Sequence, residues 1–184
     1  MGAPPIRPIP YPSPPLEVRP WNPRAPVVAE HVISLIVERL PDTTVEHVGS
    51  SAVPGCAGKG YLDFAIPYRD ETHLTAINEA LFALGFGRQR NRDPFPETRP
   101  MRVGAVDYED ETFLLHVHVV PDGTSDLTEL LDFRDRLRAD PILVAQYVAA
   151  KRKILQAGVL DGVDYAERKG EFIAALGYKG AEDA

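Results

Sequence analysis

Cysteine is almost missing from this chain: Cys56 is the single one. One cysteine excludes an intrachain disulfide and any zinc site built on several thiolates. As a nucleophile it would need a family signature around it, and it follows only a Pro54-Gly55 turn. It reads as a small half-buried filler. Long apolar runs are missing too. No stretch approaches the roughly 18 apolar residues of a membrane span. The opening MGAPPIRPIPYPSPPLEV has no continuous apolar segment followed by a small-residue cleavage site, so it does not read as a signal peptide. These absences lead us to expect a cytoplasmic protein with no membrane partner. Positive charge is also short, with 20 Lys+Arg against 27 Asp+Glu and a net charge of −7. That balance argues against broad nucleic-acid binding, which needs lysine and arginine to displace counterions along the phosphates. A local basic patch for a small anionic ligand is still compatible with it.

Proline, in contrast, is abundant and confined. Ten of the 18 prolines fall within the first 26 residues, and proline fixes φ and removes a donor. Residues 1–26 are therefore expected to form an extended arm, lying passively on the body or partly disordered, with Trp21 as a possible anchor. Residues 27–184 are expected to form one domain.

Within that domain, Val28, Val32, Leu35, Ile36 and Leu40 recur at helical spacing, and Pro41 ends the stripe. Val45–Val48 and Tyr61–Ile66 read as strands, and Glu71–Leu84 as a helix stopped by Gly85. Arg88–Arg102 is polar and arginine-rich and reads as a loop. Met101–Tyr108 and Thr112–Val120 read as paired strands, and Pro121-Asp122-Gly123-Thr124 as a turn. Helices follow: one around Leu130–Leu137, one opened by Asp140-Pro141, and one from about Asp164 to Leu176. The expected class is α+β, with a small mixed sheet flanked by helices and a helical C-terminal part.

The chemistry concentrates between Val45 and Asp63. A strand runs into Gly49-Ser50-Ser51, where glycine permits a sharp turn and close approach by a ligand. N–H groups and two hydroxyls at such a turn suit phosphate oxygens. Lys59 adds a point charge, and Asp63 a carboxylate able to ligate Mg2+. On spacing alone this is no Walker A loop, and a plain glycine turn before an ordinary strand is an equal reading. In Leu114–Val120, His116 and His118 sit two apart on a strand and share a face. With Asp63 they could bind one divalent metal, or one could act as general base. Alternatively, both are half-buried histidines bonded to backbone carbonyls.

Four segments resemble the GrpB family, a group assigned to the nucleotidyltransferase superfamily. Glu46-His47-Val48-Gly49-Ser50-Ser51-Ala52-Val53-Pro54-Gly55 is similar to its E-H-I-G-S-T-A-V-P-G, and Ala57–Asp63 to its A-A-K-P-I-I-D. His116-Val117-His118-Val119 is similar to its H-L-H-V, and Phe133–Pro141 to its F-R-D-Y-L-R-A-H-P. The resemblance spans roughly residues 20–178. It implies a nucleotidyltransferase-like fold and transfer of a nucleotidyl group from an NTP to a small acceptor with Mg2+ or Mn2+. It also implies that Gly49-Ser50 faces the nucleotide phosphates and that Asp63 is the first metal-binding acid. Ser51 and Lys59 as phosphate contacts, and His116 and His118 as metal ligands or base, rest on the chemistry of the residues themselves. Active members of the superfamily carry a D-x-D pair and a third acid, whereas this chain has Ala65 in the second position and histidines in the third. That departure keeps two other readings in play, a non-catalytic nucleotide- or phosphometabolite-binding module and a single-metal hydrolase. Arg134 is the favoured phosphate partner among the C-terminal cations, ahead of Arg138, Lys151 and Lys169, and the arginines of 88–102 form another possible anion clamp.

Overall fold

The computed structural model describes residues 4–9, 15–90, 93–159 and 161–177. Six strands and five helices follow in the order β1 (Ile6–Arg7), α1 (Ala25–Arg39), β2 (Glu46–Val48), β3 (Tyr61–Tyr68), α2 (Glu71–Leu84), β4 (Gly87–Arg88), β5 (Met101–Tyr108), β6 (Glu111–Pro121), α3 (Ser125–Ala139), α4 (Pro141–Gln156) and α5 (Gly162–Ala175). A one-turn 3-10 segment, Ser50–Ala52, joins β2 to the loop before β3. The strands form one sheet in the order β1-β5-β6-β3-β2, with β4 also on β5. Only β3 and β6 run parallel; every other pairing is antiparallel. The α+β class with a mixed sheet is thus as expected. Among the described residues no helix is long and apolar enough to cross a membrane.

Local chemistry explains the helix ends. The Asp70 side chain accepts the His73 N–H at the start of α2, and Gly85 closes it in the left-handed region. Asp140 accepts the N–H groups of Ile142 and Leu143, and Pro141 occupies the first turn of α4. Asp161 does the same for Val163 and Asp164 at α5.

Alternation along the two central strands sets the faces. Leu62, Phe64 and Ile66 of β3, with Leu115, Val117 and Val119 of β6, point into a core shared with Val28, Val32 and Ile36 of α1 and Ile77 and Leu81 of α2. Asp63, Ala65, His116 and His118 therefore occupy the opposite face. A second, smaller cluster forms from Val53 and Cys56 with Leu137, Leu143 and Tyr147 of α3 and α4. It fixes the C-terminal helices against the loop that follows the turn.

Two segments are held more firmly than their sequence indicates. The arm is an integral edge of the sheet: Ile6 pairs with Val106 and is 6% exposed. Such burial is worth about 1.5–3 kcal/mol. Further along, Arg19 exchanges backbone hydrogen bonds with Gly58 at 2.8 and 3.0 Å. Residues 10–14 of the arm lie outside the described residues. Within 88–102, Arg88, Arg99 and Arg102 are committed to other partners. Arg88 and Arg102 both pair with Glu97, Arg102 reaches Asn78 and is 2% exposed, and Arg99 pairs with Asp126 at 2.9 Å. Arg92 lies outside the described residues.

Candidate functional site

Gly49 turns with φ 71° at the end of β2. A Cβ built there would lie 2.6 Å from Asp63 Oδ2. Glycine is therefore required twice, by its backbone angle and by the carboxylate packed against it. Asp63 itself is set by the β2–β3 register, which pairs it with Val48.

The parallel pairing of β3 with β6 places Asp63 opposite His116, and His116 Nδ1 lies 3.3 Å from Asp63 Oδ1. Burial acts to raise the Asp63 pKa. The hydrogen bond and charge of His116, with His118 and Lys169, outweigh burial and hold it below the usual carboxylate value. Asp63 is therefore an anion at neutral pH, and 27% of its side chain still meets solvent. His118 sits two positions along, beside Ala65, edge-on to Phe95. Burial pushes its pKa down to about 4, so it is neutral at physiological pH. Among the described residues, no group of three or more His, Cys, Asp or Glu side chains is arranged to hold a metal ion.

The cations divide in a way the sequence did not suggest. Lys151, on α4, is 2% exposed. Its ammonium donates to Ser50 Oγ at 2.9 Å and to the Ala57 carbonyl, lies 3.6 Å from Cys56 Sγ, and stands over the Tyr147 ring at 4.1 Å. Gly58 leaves room for this contact, since a Cβ there would meet Ser50 Cβ at 2.9 Å. Burial lowers the Lys151 pKa to about 8. Lys59 is shared between two aromatic faces, 5.6 Å from the Tyr61 centroid and 5.1 Å from that of Tyr165. Tyr61 in turn stacks on His116 at 4.1 Å. Lys169 on α5 is close enough to act electrostatically on Asp63, His118, Lys151 and Tyr165.

Arg134, the favoured phosphate partner, is placed otherwise. Its Nη1 donates to Glu46 Oε2 at 2.9 Å and to the His47 carbonyl at 3.1 Å, while Nε and Nη2 engage Asp135. Arg134 fastens α3 to β2. The helical signal for Lys151 was present: Leu143, Tyr147 and Lys151 repeat every four residues and are the buried residues of α4. A lysine on an apolar stripe marks a cation with a buried task.

Ser51 is set apart from Ser50. Its hydroxyl shares a 2.9 Å hydrogen bond with His47 Nε2, and its carbonyl accepts the Trp21 indole N–H at 2.9 Å. Two buried polar atoms around the site, His116 Nε2 and the Tyr165 hydroxyl, have no hydrogen-bond partner among the described residues. Buried polar atoms are normally satisfied, so these two are candidates to meet a ligand or ordered water.

The fold and site define an α+β protein whose glycine-serine turn faces an aspartate and a group of lysines. The family model for GrpB protein matches residues 15–179, and the chain belongs to the GrpB family. A UPF0157 protein of Streptomyces coelicolor is 36% identical over 135 residues, which are 73% of this chain and 67% of that one. The chain spans 67%, 64% and 55% of the length of three curated relatives it matches. The crystal structure of the conserved protein GrpB from Enterococcus faecalis shares the fold, with a TM-score of 0.63 at 20% identity over 87% of this chain and 99% of that one. A structure of the Cid1 poly(U) polymerase with MgGTP bound reaches a TM-score of 0.49 at 13% identity over 73% of this chain and 44% of that one, too distant for inference.

Proposed function

We propose that the turn at Gly49 and Ser50 receives the phosphates of a nucleoside triphosphate, and that the chain transfers a nucleotidyl group to a small acceptor. The observation that carries this reading is the buried Lys151 ammonium bonded to the Ser50 hydroxyl. A desolvated cation aimed at a glycine-serine turn has its attraction for phosphate strengthened by the low local dielectric. Lys59 and Lys169 add charge on the same side, which gives an acidic chain one locally basic site. The exposed edge of Asp63 would hold a single Mg2+ or Mn2+, with phosphate oxygens and water as the other ligands, in keeping with the reluctance of Mg2+ to shed water. That ion would supply charge neutralisation at the triphosphate. His116 fixes the Asp63 carboxylate, and Ser50 and Lys151 orient the phosphate chain.

One observation favours a second reading, binding without turnover. Ala65 and His116 stand where further carboxylates would hold a second ion, so the charge available for catalysis is smaller than two-metal transfer requires. A single experiment separates the two. The chain is screened for thermal stabilisation by ATP, GTP, CTP and UTP with Mg2+ or Mn2+, and for pyrophosphate release with pooled acceptors. Stabilisation with release supports transfer, and stabilisation alone supports the binding module. No stabilisation by any nucleotide overturns both.

A further inference from the structure

Beside the turn lies a groove of about 630 Å3, within the range of small-molecule pockets. His47 lines it. The pairing of His47 with Phe64 puts that side chain on the sheet face opposite Asp63, and the lining residues do not include Gly49, Ser50, Lys59, Asp63 or Lys151. Its apolar walls include Pro26 at the start of α1, Pro54 after the turn, Leu137 of α3 and Val144 of α4. Among the described residues the exposed large hydrophobic residues are Val27, Phe82 and Ile142. Val27 and Ile142 adjoin the lining prolines Pro26 and Pro141.

Two polar side chains interrupt these walls. Arg138 Nε donates to the Ala52 carbonyl at 3.0 Å, which fixes the guanidinium at the rim. Its Nη1 makes a long 3.4 Å contact with Asp135, and Nη2 has no protein partner among the described residues. The second is His47. Burial, helped by Arg138 and Arg134 and opposed by Asp63, holds its pKa at about 4, so it is a neutral hydrogen-bonding group there. Arg138 is therefore the one cation lining the groove.

We infer that this groove is a second ligand site, for a small molecule with an apolar body and one carboxylate that pairs with the outer edge of Arg138. The match is in charge and shape. A fixed guanidinium edge offers two N–H groups at the spacing of two carboxylate oxygens. A phosphate, more strongly charged, would face proline, leucine and valine with a single cation to balance it. The inference does not depend on nucleotide binding at the Gly49-Ser50 turn.

The chain carries its own reporter. Trp21, the single tryptophan, donates to the carbonyl of Ser51, whose hydroxyl is bonded to His47. Octanoate, octanol and octylamine are titrated against the full chain while tryptophan fluorescence is followed. Octanoate is expected to give a saturable change that octanol and octylamine do not match. Arg138→Gln is expected to weaken octanoate by ~10- to 100-fold, the usual weight of a charge-assisted hydrogen bond. Val144→Phe, which fills the groove without touching the Arg138–Ala52 bond, is expected to abolish it. Equal binding of octanol, unchanged affinity in Arg138→Gln, or no saturable response to any probe at millimolar concentration overturns the inference. So does concentration-dependent self-association that Val144→Phe removes and octanoate does not, since the groove would then belong to a second copy of the chain.

Discussion

Lys151 Nζ lies 2.9 Å from the hydroxyl of Ser50, a residue 101 positions earlier in the chain. That contact brings α4 to the turn that follows β2.

Replacing this lysine separates its binding role from its structural one. In Lys151→Met the apolar chain fills the space beside Tyr147, and exchange of a buried charge for a hydrophobe is often neutral or stabilising. We expect an unchanged or higher Tm together with a ~10- to 100-fold loss in nucleotide affinity, read by thermal shift and isothermal titration. Full affinity in this variant would remove the main support for phosphate binding at the turn.

The same group predicts a pH dependence. Its pKa falls from 10.5 to about 8, first by burial and then by Lys169, against the opposing pull of Cys56 and Asp63. Below about pH 8 the ammonium is charged and attracts phosphate; above it the attraction fades. Nucleotide affinity is expected to fall between pH 7 and 9 in the native chain and to stay level in Lys151→Met. Stability runs the other way. Between about 8 and 10.5 the unfolded chain holds a proton that the folded chain has released, so this group makes unfolding harder as pH rises.

Gly49→Ala should cost more than its backbone angle alone. Gly123 has a similar φ of 75° with nothing within 4 Å of a built Cβ, and Gly49 has Asp63 Oδ2 at 2.6 Å. Gly123→Ala should lose about 1–2 kcal/mol in urea denaturation, and Gly49→Ala clearly more. Equal losses would mean that Asp63 moves aside freely.

Asp63→Asn keeps the shape and removes the charge. Stabilisation by nucleotide should depend on Mg2+ in the native chain and become indifferent to it in this variant, measured by thermal shift with and without the ion. A retained Mg2+ dependence would place the ion elsewhere.

The arm makes a stability prediction of its own. Ile6 is 6% exposed against the core, and Ile6→Ala should lose about 2–5 kcal/mol in urea denaturation. A loss near zero would restore the passive-arm reading.

Much of the fold was legible because the signals were local. Asp70 and Gly85 bound α2, and Asp140-Pro141 opens α4, through contacts within a few residues. The β5–β6 hairpin announced itself through alternation and a tight turn. The pairing of β3 with β6 was not readable, since nothing local says which strand will lie beside Asp63. The arm was misjudged because prolines hide a two-residue strand whose partner lies about 100 positions away. At the site, Gly49, Ser50 and Asp63 were found by motif and do come together. Arg134 ranks ahead of Lys151 in the sequence because it is a motif position next to a core residue. In the structure Lys151 turns inward to Ser50, and Arg134 engages Glu46, His47 and Asp135.

The attachment of the arm also has a mechanical side. Its bridge to Gly58 and its indole bond to Ser51 flank the turn, while β1 rides on β5 across the sheet. A pull on residues 15–22 would load the Gly58 bridge and the Ser51 carbonyl together. Tension there would bear on the loop that carries Ser50, the turn proposed to receive phosphate.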